Sequence, residues 1–349
     1  MKPRFVIPPR LERPIVKAVL RAPAPLLRRF AGAPIRSPEG VTLDLQLQVL
    51  LRMMKLTGEP ELHEGSVEAS RGRMERSARL LDFDGVDGVA VTDRTVPGAA
   101  GPRPARLYRP KDGGRAGLVW FHGGGFALGS ITSHDGVCRA LAKRARVTVV
   151  SVDYRLAPEH PFPAGVEDAI TASRWILANA SALDLDPHAI AIGGDSAGGN
   201  LTAVTTLALK HDERRPAFQL LVYPGVDFTR QHASHDHFAD GFILSRASID
   251  WFIERYLPSS EHVRDPRASP LFAEDLSGLP PALVLTAGFD PLRDEGTRYA
   301  ERLREAGNDV EHLSADRMLH GFFNMGGVVR GADAIIHRAA EKLRRAVTR

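Results

Sequence analysis

A serine between glycines stands directly after an apolar run and before a run of small residues with helical character. The segment is Gly194-Asp195-Ser196-Ala197-Gly198, and the apolar run before it covers 189–192. On a sharp strand-to-helix turn a serine hydroxyl stands clear of the sheet, where a general base can reach it. The helix that follows adds backbone N–H groups that favour developing negative charge. Ser196 is therefore predicted to be a nucleophile; the alternative is a glycine-rich turn of an ordinary doubly wound sheet.

A second glycine cluster ends another apolar run, upstream of the serine. It reads His122-Gly123-Gly124-Gly125-Phe126. Three successive glycines after a strand bring bare backbone N–H groups close to whatever binds there, which is what a tetrahedral oxyanion requires. Neither glycine cluster has the spacing of a P-loop or of a dinucleotide-binding turn. The two clusters together predict an acyl-transfer site and argue against nucleotide binding.

A serine hydrolase of this type needs a carboxylate and then an imidazole from the ends of later strands. Asp290 closely follows the apolar run 281–289, and His320 lies in a glycine-containing loop after the alternating run 310–314. His312 lies inside that alternating run, as a strand residue would. Asp294 and Glu295 fall in the helix that starts after Asp290, where acids favour a helix N-terminus. Asp290 is therefore the predicted acid and His320 the predicted base.

Three histidines resemble a metal site by their spacing. They are His232, His235 and His237, and no matching set of carboxylates or cysteines accompanies them in the sequence. A zinc site normally needs three or four such ligands. The prediction is a solvated loop, with no metal site.

Short apolar runs that alternate with helical patterns must position these residues. The runs cover 118–121, 147–152, 189–192, 220–223 and 282–285. Such alternation is typical of buried parallel strands with crossover helices. The shorter β-rich runs at 86–96 and 104–108 are separated by turn residues and predict an antiparallel lead-in. The predicted class is α/β.

Two helical regions fall outside this alternation. A basic arm precedes the β-rich part, and a long insert with a helical stretch separates the fourth and fifth apolar runs. The predicted division is a helical arm that forms part of a cap (1–75), the first part of a catalytic α/β domain (76–227), a cap insert (228–277) and the second part of the catalytic domain (278–349). Apolar and aromatic residues of the insert predict a roofed pocket for short or medium acyl chains.

Composition limits the class of protein. The chain has 349 residues, of which 43% are hydrophobic and 25% charged, which is typical of a globular protein and argues against disorder or a fibre. Its net charge is +4, and nine basic residues with one acid lie in 1–36. A local excess of this kind does not indicate nucleic-acid binding by the whole chain. It is compatible with a weak membrane-surface contact, although such a helix more commonly packs on its own protein.

Several motifs together resemble the hormone-sensitive-lipase-like esterases, bacterial family IV of the α/β-hydrolase superfamily. They are HGGGF at 122–126, DYRLAPEHPFPA at 153–164, GDSAGGN at 194–200, DPLRDEG at 290–296 and HGF at 320–322. The resemblance implies the α/β-hydrolase fold: a mostly parallel eight-stranded sheet, helices on both faces and a helical cap made from the arm and the insert.

The resemblance also implies roles for individual residues. Ser196, Asp290 and His320 would form a catalytic triad. The N–H groups of Gly124, Gly125 and Ala197 would form an oxyanion hole, and His122 and Gly123 would be structural members of the glycine loop. The candidate substrate-pocket residues are Phe126, Phe242, Trp251, Phe252, Tyr256, Leu319 and Phe322.

The expected function is that of a serine carboxylesterase that cleaves short- to medium-chain acyl esters without a metal or an organic cofactor. An amidase or an acyltransferase on the same triad is an alternative. A non-catalytic binding protein is another, since the plant gibberellin receptors look like this family but lack the catalytic histidine, which is present here as His320. No segment resembles a secretory leader or a membrane span, so a cytoplasmic location is expected. A homodimer is compatible with the sequence.

Overall fold

One sheet forms the centre of the molecule, in a computed structural model that describes residues 9–348. Its eight strands are β1 (Val89–Gly98), β2 (Gly101–Pro110), β3 (Gly117–Phe121), β4 (Thr148–Val152), β5 (Ile190–Asp195), β6 (Phe218–Val222), β7 (Ala282–Phe289) and β8 (Val310–Leu319). The strand order is β1-β2-β4-β3-β5-β6-β7-β8. The pairs β1/β2 and β2/β4 are antiparallel and all others are parallel. The predicted parallel sheet with an antiparallel lead-in is confirmed.

Eleven α-helices occur in residues 9–348. They are α1 (Pro9–Leu20), α2 (Ala24–Ala31), α3 (Leu45–Thr57), α4 (Val67–Leu81), α5 (Asp135–Ala145), α6 (Ala164–Ala178), α7 (Ala197–Ala208), α8 (Ala233–His237), α9 (Arg246–Tyr256), α10 (Arg293–Glu305) and α11 (Arg330–Val347). Short 3-10 helices cover Ala180–Leu183, Ser260–Arg264, Pro270–Phe272 and Phe322–Asn324.

Helices cover both faces of the sheet, so the side chains on both faces are buried. Successive side chains of a strand point to opposite faces and therefore join different clusters. In β3, Leu118 and Trp120 join the core beneath α5 and α11, whereas Val119 and Phe121 join the core beneath α6 and α7. A third cluster lies between α10 and the strands β6 and β7. The central strands are fully buried, as the continuous apolar runs predicted.

The N-terminal helices and the insert at 228–277 both lie outside the sheet. Asp44 and Ser66 accept hydrogen bonds from backbone N–H groups in the first turns of α3 and α4, and Ser245 caps α9 in the same way. The expected boundary at residue 75 falls inside α4, which continues to Leu81. Among residues 9–348, no helix has the length and apolar character needed to cross a bilayer.

Candidate active site

Ser196 occupies the sharp turn between β5 and α7. Its backbone angles are φ 55° and ψ −117°, a conformation that side-chain-bearing residues rarely adopt. The turn is possible because Gly198 lies against the backbone of Phe121, where a Cβ atom would collide with the Phe121 carbonyl group. The first residue of α7 is Ala197, so the Ser196 hydroxyl stands at the N-terminus of a helix, as expected for a strand-turn-helix nucleophile.

The residues predicted as acid and base lie where two neighbouring strands end. Asp290 directly follows β7, and His320 directly follows β8. His320 Nε2 lies 3.0 Å from Ser196 Oγ, and His320 Nδ1 lies 2.7 Å from Asp290 Oδ2. The other oxygen of Asp290 accepts a hydrogen bond from the Leu292 N–H at 2.9 Å. With the imidazole proton on Nδ1, Nε2 is free to accept the serine proton.

Three backbone N–H groups adjoin the serine without a hydrogen-bond partner among residues 9–348. They belong to Gly124, Gly125 and Ala197, and all three residues line the cavity that contains Ser196. Gly125 has φ +58°, and a Cβ atom there would meet the ring of Phe252. Unpaired donors directed at a reacting carbonyl are the geometry that stabilises an oxyanion.

The glycine loop is anchored from behind by Asp195. One carboxylate oxygen accepts the Gly123 N–H at 3.0 Å and lies 3.1 Å from His134 Nε2. Burial raises the pKa of Asp195, but the facing His134 and the Gly123 N–H outweigh burial and hold that pKa below its ordinary value. The sequence contained no signal for His134, which lies 61 residues before its partner.

His122 lies buried inside this loop, away from the cavity wall. Its Nδ1 lies 2.9 Å from the Gly123 carbonyl oxygen, and its ring stacks on Tyr154 at 4.5 Å. The Tyr154 hydroxyl donates to the His122 carbonyl oxygen at 2.8 Å. These contacts suit a residue that shapes the loop.

A cavity of about 250 Å³ opens onto Ser196 and His320. Its walls come from the helices α3 and α4, from the glycine loop and from the insert. Phe126, Phe242, Phe252 and Tyr256 line it, in agreement with the expected pocket residues. Phe126 stacks on Tyr256 with ring centroids 3.8 Å apart, which closes one side of the cavity.

Three of the expected pocket residues, Trp251, Leu319 and Phe322, do not line this cavity. Trp251 is one residue before Phe252 on α9, about 100° around the helix, and its ring lies under the guanidinium group of Arg255. Leu319 and Phe322 are fully buried in the core beneath α11. The arm instead supplies apolar lining side chains that the sequence did not single out: Met54, Leu62, Met74 and Leu81.

The prediction of a solvated histidine loop was wrong for His235. This side chain is buried, and its Nε2 lies 2.9 Å from Glu295 Oε2. The other oxygen of Glu295 accepts the N–H groups of Val226 and Asp227 at 2.6 and 3.2 Å. Burial raises the pKa of the Glu295 carboxyl above its ordinary value. The insert folds back onto the first turn of α10, so this acid holds the loop after β6 as well as occupying the helix N-terminus.

His232 pairs with a different carboxylate, and His237 is exposed. His232 Nε2 lies 3.0 Å from Asp227 Oδ2, and this hydrogen bond raises the pKa of His232 despite partial burial. His232 and His235 therefore each have their own carboxylate partner. In residues 9–348 no group of three or more potential ligands is placed to hold a metal ion.

Comparisons with known proteins place this geometry among esterases. A family model described as alpha/beta hydrolase fold matches residues 118–324. The carboxylic ester hydrolase LipN of Mycobacterium tuberculosis is 43% identical over 335 residues, which cover 92% of this chain and 89% of LipN. The ethyl acetate hydrolase of Pseudomonas putida is 35% identical over 289 residues, covering 81% of this chain and 91% of that enzyme.

A solved structure from Pyrobaculum calidifontis, an esterase, superposes with a TM-score of 0.79 at 39% identity and covers 86% of this chain and 98% of its own. The ester-hydrolase EH1AB1 from the metagenome of Lake Arreo, complexed with a bipyridine phosphonate derivative, superposes with a TM-score of 0.84 at 40% identity. It covers 88% of this chain and 100% of its own. The fold, the matched motifs and these relatives agree: this chain belongs to the α/β-hydrolase family, in its hormone-sensitive-lipase-like branch.

Proposed function

We propose that this chain is a carboxylic-ester hydrolase that acts through a covalent acyl-enzyme on Ser196. The observation that carries the proposal is the continuous hydrogen-bonded line from Ser196 Oγ to His320 (3.0 Å) and from His320 to Asp290 (2.7 Å). The names of the relatives, which are carboxylic ester hydrolases and esterases, support the same reaction class.

In the proposed mechanism, His320 Nε2 takes the proton of Ser196 Oγ as the oxygen attacks the ester carbonyl carbon. Negative charge then develops on the carbonyl oxygen, next to the unpaired N–H groups of Gly124, Gly125 and Ala197. The protonated imidazole, oriented by the Asp290 carboxylate, gives its proton to the leaving alcohol. A water molecule then attacks the acyl-enzyme with the same proton transfers through His320, and the acid is released. The reaction consumes only the ester and water, so it needs no cofactor.

The proposed substrates are esters of short or medium acyl chains. A cavity of about 250 Å³ is small beside the ~300–1,000 Å³ of pockets that bury drug-sized ligands. Its lining is predominantly apolar, which favours an acyl chain over a charged group. A cytoplasmic location, a homodimer and the absence of nucleic-acid binding stay predictions.

Reaction with a fluorophosphonate probe tests the nucleophile, and a substrate series tests the reaction class. The wild-type chain is expected to be labelled and Ser196→Ala to remain unlabelled with an unchanged circular-dichroism spectrum. Among p-nitrophenyl acetate, butyrate, octanoate and palmitate, kcat/KM is expected to fall sharply at palmitate, with an anilide hydrolysed far more slowly. Labelling of Ser196→Ala, or equal rates on the anilide, would contradict the proposal.

A further inference from the structure

The exposed large hydrophobic side chains of residues 11–348 all lie on the N-terminal helices. They are Leu11, Ile15, Leu26, Phe30 and Leu56. Within residues 11–20 of α1, the exposed positions are Leu11, Pro14, Ile15 and Ala18. Their spacing places them on one face of the helix. The outward face of a surface helix is normally polar. A face whose exposed residues from Leu11 to Ala18 are all apolar therefore indicates a partner.

The opposite sides of these helices are firmly packed, so the exposed face is not a consequence of loose attachment. Leu20 and Leu27 are buried in the main core. The Gln46 side-chain amide donates to the Leu20 carbonyl oxygen at 2.8 Å. Arg13 and Lys17 both pair with Asp84, at 3.0 and 2.9 Å. The helices are held in one orientation, with the apolar residues outward.

The helices that carry the exposed apolar residues also carry exposed basic side chains without an acidic partner among residues 9–348. On or directly after α1, α2 and α3, the exposed basic residues that form no ion pair with residues 9–348 include Arg21, Arg28, Arg29, Arg52 and Lys55. The single acid of residues 9–36 is Glu12, and it is paired with Arg76 at 2.9 Å. The face therefore combines exposed aliphatic and aromatic groups with uncompensated positive charge.

We propose that this surface, the arm face formed by Leu11, Ile15, Leu26, Phe30, Leu56 and their basic neighbours, binds an anionic lipid surface. Apolar side chains inserted at the level of the headgroups gain free energy by leaving water, and arginine and lysine attract the lipid phosphates. Charge complementarity selects the occupant, since the positive charge of the arm would oppose pairing with the same positive face of a second copy.

The position of the arm face gives lipid binding a further consequence, which rests on the proposed function. Met54 lies on α3, the helix that carries the exposed Leu56, and it lines the cavity that contains Ser196. A chain bound through the arm face holds one wall of its cavity close to the lipid. Apolar esters dissolved in the lipid would then reach the cavity without crossing bulk water.

Co-sedimentation of the full chain with vesicles tests the binding. The wild-type chain is expected to pellet with phosphatidylglycerol vesicles, weakly with phosphatidylcholine vesicles, and less as salt is added, since salt screens exposed charges. Leu26→Ser/Phe30→Ser and Arg28→Glu/Arg29→Glu are each expected to weaken binding by on the order of tenfold or more. The matched control is Arg214→Glu/Arg215→Glu, which makes the same charge change at exposed residues beyond α7.

Three results would overturn the proposal. One is a wild-type chain that stays in the supernatant with phosphatidylglycerol. Another is an equal loss of binding in the Arg214/Arg215 control, and the third is a wild-type dimer that Leu26→Ser/Phe30→Ser converts to a monomer. Ser196→Ala is expected to bind vesicles like the wild type, so a failure of the esterase proposal is distinguishable from a failure of this one. Activity on soluble p-nitrophenyl acetate should be unchanged in both arm variants.

Discussion

The carboxylate of Asp195 accepts a hydrogen bond from the Gly123 N–H at 3.0 Å, which ties the residue before the serine turn to the glycine loop. The loop follows β3 and the turn follows β5, two strands that lie side by side in the sheet. This contact therefore fixes the position of Ser196, the proposed nucleophile, relative to Gly124 and Gly125, which supply two of the proposed oxyanion donors.

Removal of the Asp195 carboxylate is expected to loosen the glycine loop from the serine turn. Asp195→Ala removes the shorter hydrogen bond of the Gly123 N–H, at 3.0 Å, and leaves it only the longer contact with His134 Nε2, at 3.3 Å. The glycine loop loses its tie to the serine turn, so kcat on a soluble aryl ester should fall on the order of 100-fold, as for the loss of an oxyanion donor. Asp195→Asn keeps an oxygen acceptor and should lose much less. Equal kcat values for the two variants would contradict this role of the contact.

The proposed acid is distinguishable from its neighbour on α10. Asp290→Asn is expected to lower kcat by about 10³- to 10⁴-fold, because the amide favours the wrong imidazole tautomer. Asp294 instead accepts the Ser234 N–H at 2.9 Å and pairs with Arg293, away from His320. Asp294→Asn should therefore change kcat only slightly. Steady-state kinetics of the two variants decide the assignment, and the reverse ranking would move the acid role to Asp294.

Gly125 combines a positive φ with a close neighbour. In Gly125→Ala the new Cβ atom meets the ring of Phe252, so the loop must shift and kcat is expected to fall by about 100-fold or more, with a smaller change in KM. The control is Gly307→Ala, where φ is +83° and no atom lies within 4 Å of the added Cβ. It should cost about 1 kcal/mol of stability and leave kcat intact. The double variant Gly125→Ala/Phe252→Ala should recover part of the lost activity; no recovery would mean that the clash is not the cause.

Glu295 is expected to contribute to stability more than its sequence position suggests. Glu295→Ala leaves two buried N–H groups and His235 without an acceptor, which should lower the free energy of unfolding by about 3–5 kcal/mol. Glu295→Gln retains an oxygen for the N–H groups and should lose far less. Denaturant titration measures both values, and an alanine variant as stable as the wild type would refute the assignment.

The pair of Asp227 and His232 should make stability depend on pH. Asp227 has its pKa lowered overall, since burial raises it but His232 and Thr229 outweigh burial. Its stabilising contribution is present above about pH 4 and is lost as pH falls below that value. The pKa of His232 is raised, so its contribution is present below about pH 6.5 and is lost as pH rises through the folded-state pKa.

His232→Ala should therefore lower Tm most near pH 5.5 and less at pH 9, with an effect of about 1 kcal/mol. The control is His188→Ala, which removes an exposed histidine that forms no ion pair with residues 9–348. Thermal unfolding at the two pH values checks the prediction. An equal Tm difference at both values would show that the ion pair does not contribute.

The sheet was predictable because buried parallel strands are continuous apolar runs, and each run here ends close to a glycine, a proline or an aspartate. Topology then brings residues after different strands to one edge, which is why Ser196, Asp290 and His320 could be named together before any geometry was known. The match of motifs to one family strengthened the same prediction.

The cavity wall and the ion pairs were less accessible to sequence reasoning. Trp251 and Phe252 are adjacent, and only the rotational phase of α9 decides which of them faces the cavity. His235 and Glu295 lie 60 residues apart, and no local pattern links a histidine in the insert to an acid on α10. Contacts of this kind depend on how separate segments pack, which hydrophobic periodicity does not encode.

The roof of the cavity is made from two stretches of chain, 9–81 and 228–277, that contribute no strand to the sheet. Insertions, deletions and exchanges in either stretch can alter which molecules fit without moving the nucleophile or its partners. Substitutions in these two stretches can therefore change the range of substrates while the proposed catalytic residues stay the same. A mutant library restricted to the two stretches should yield variants with altered substrate preference and intact catalytic residues.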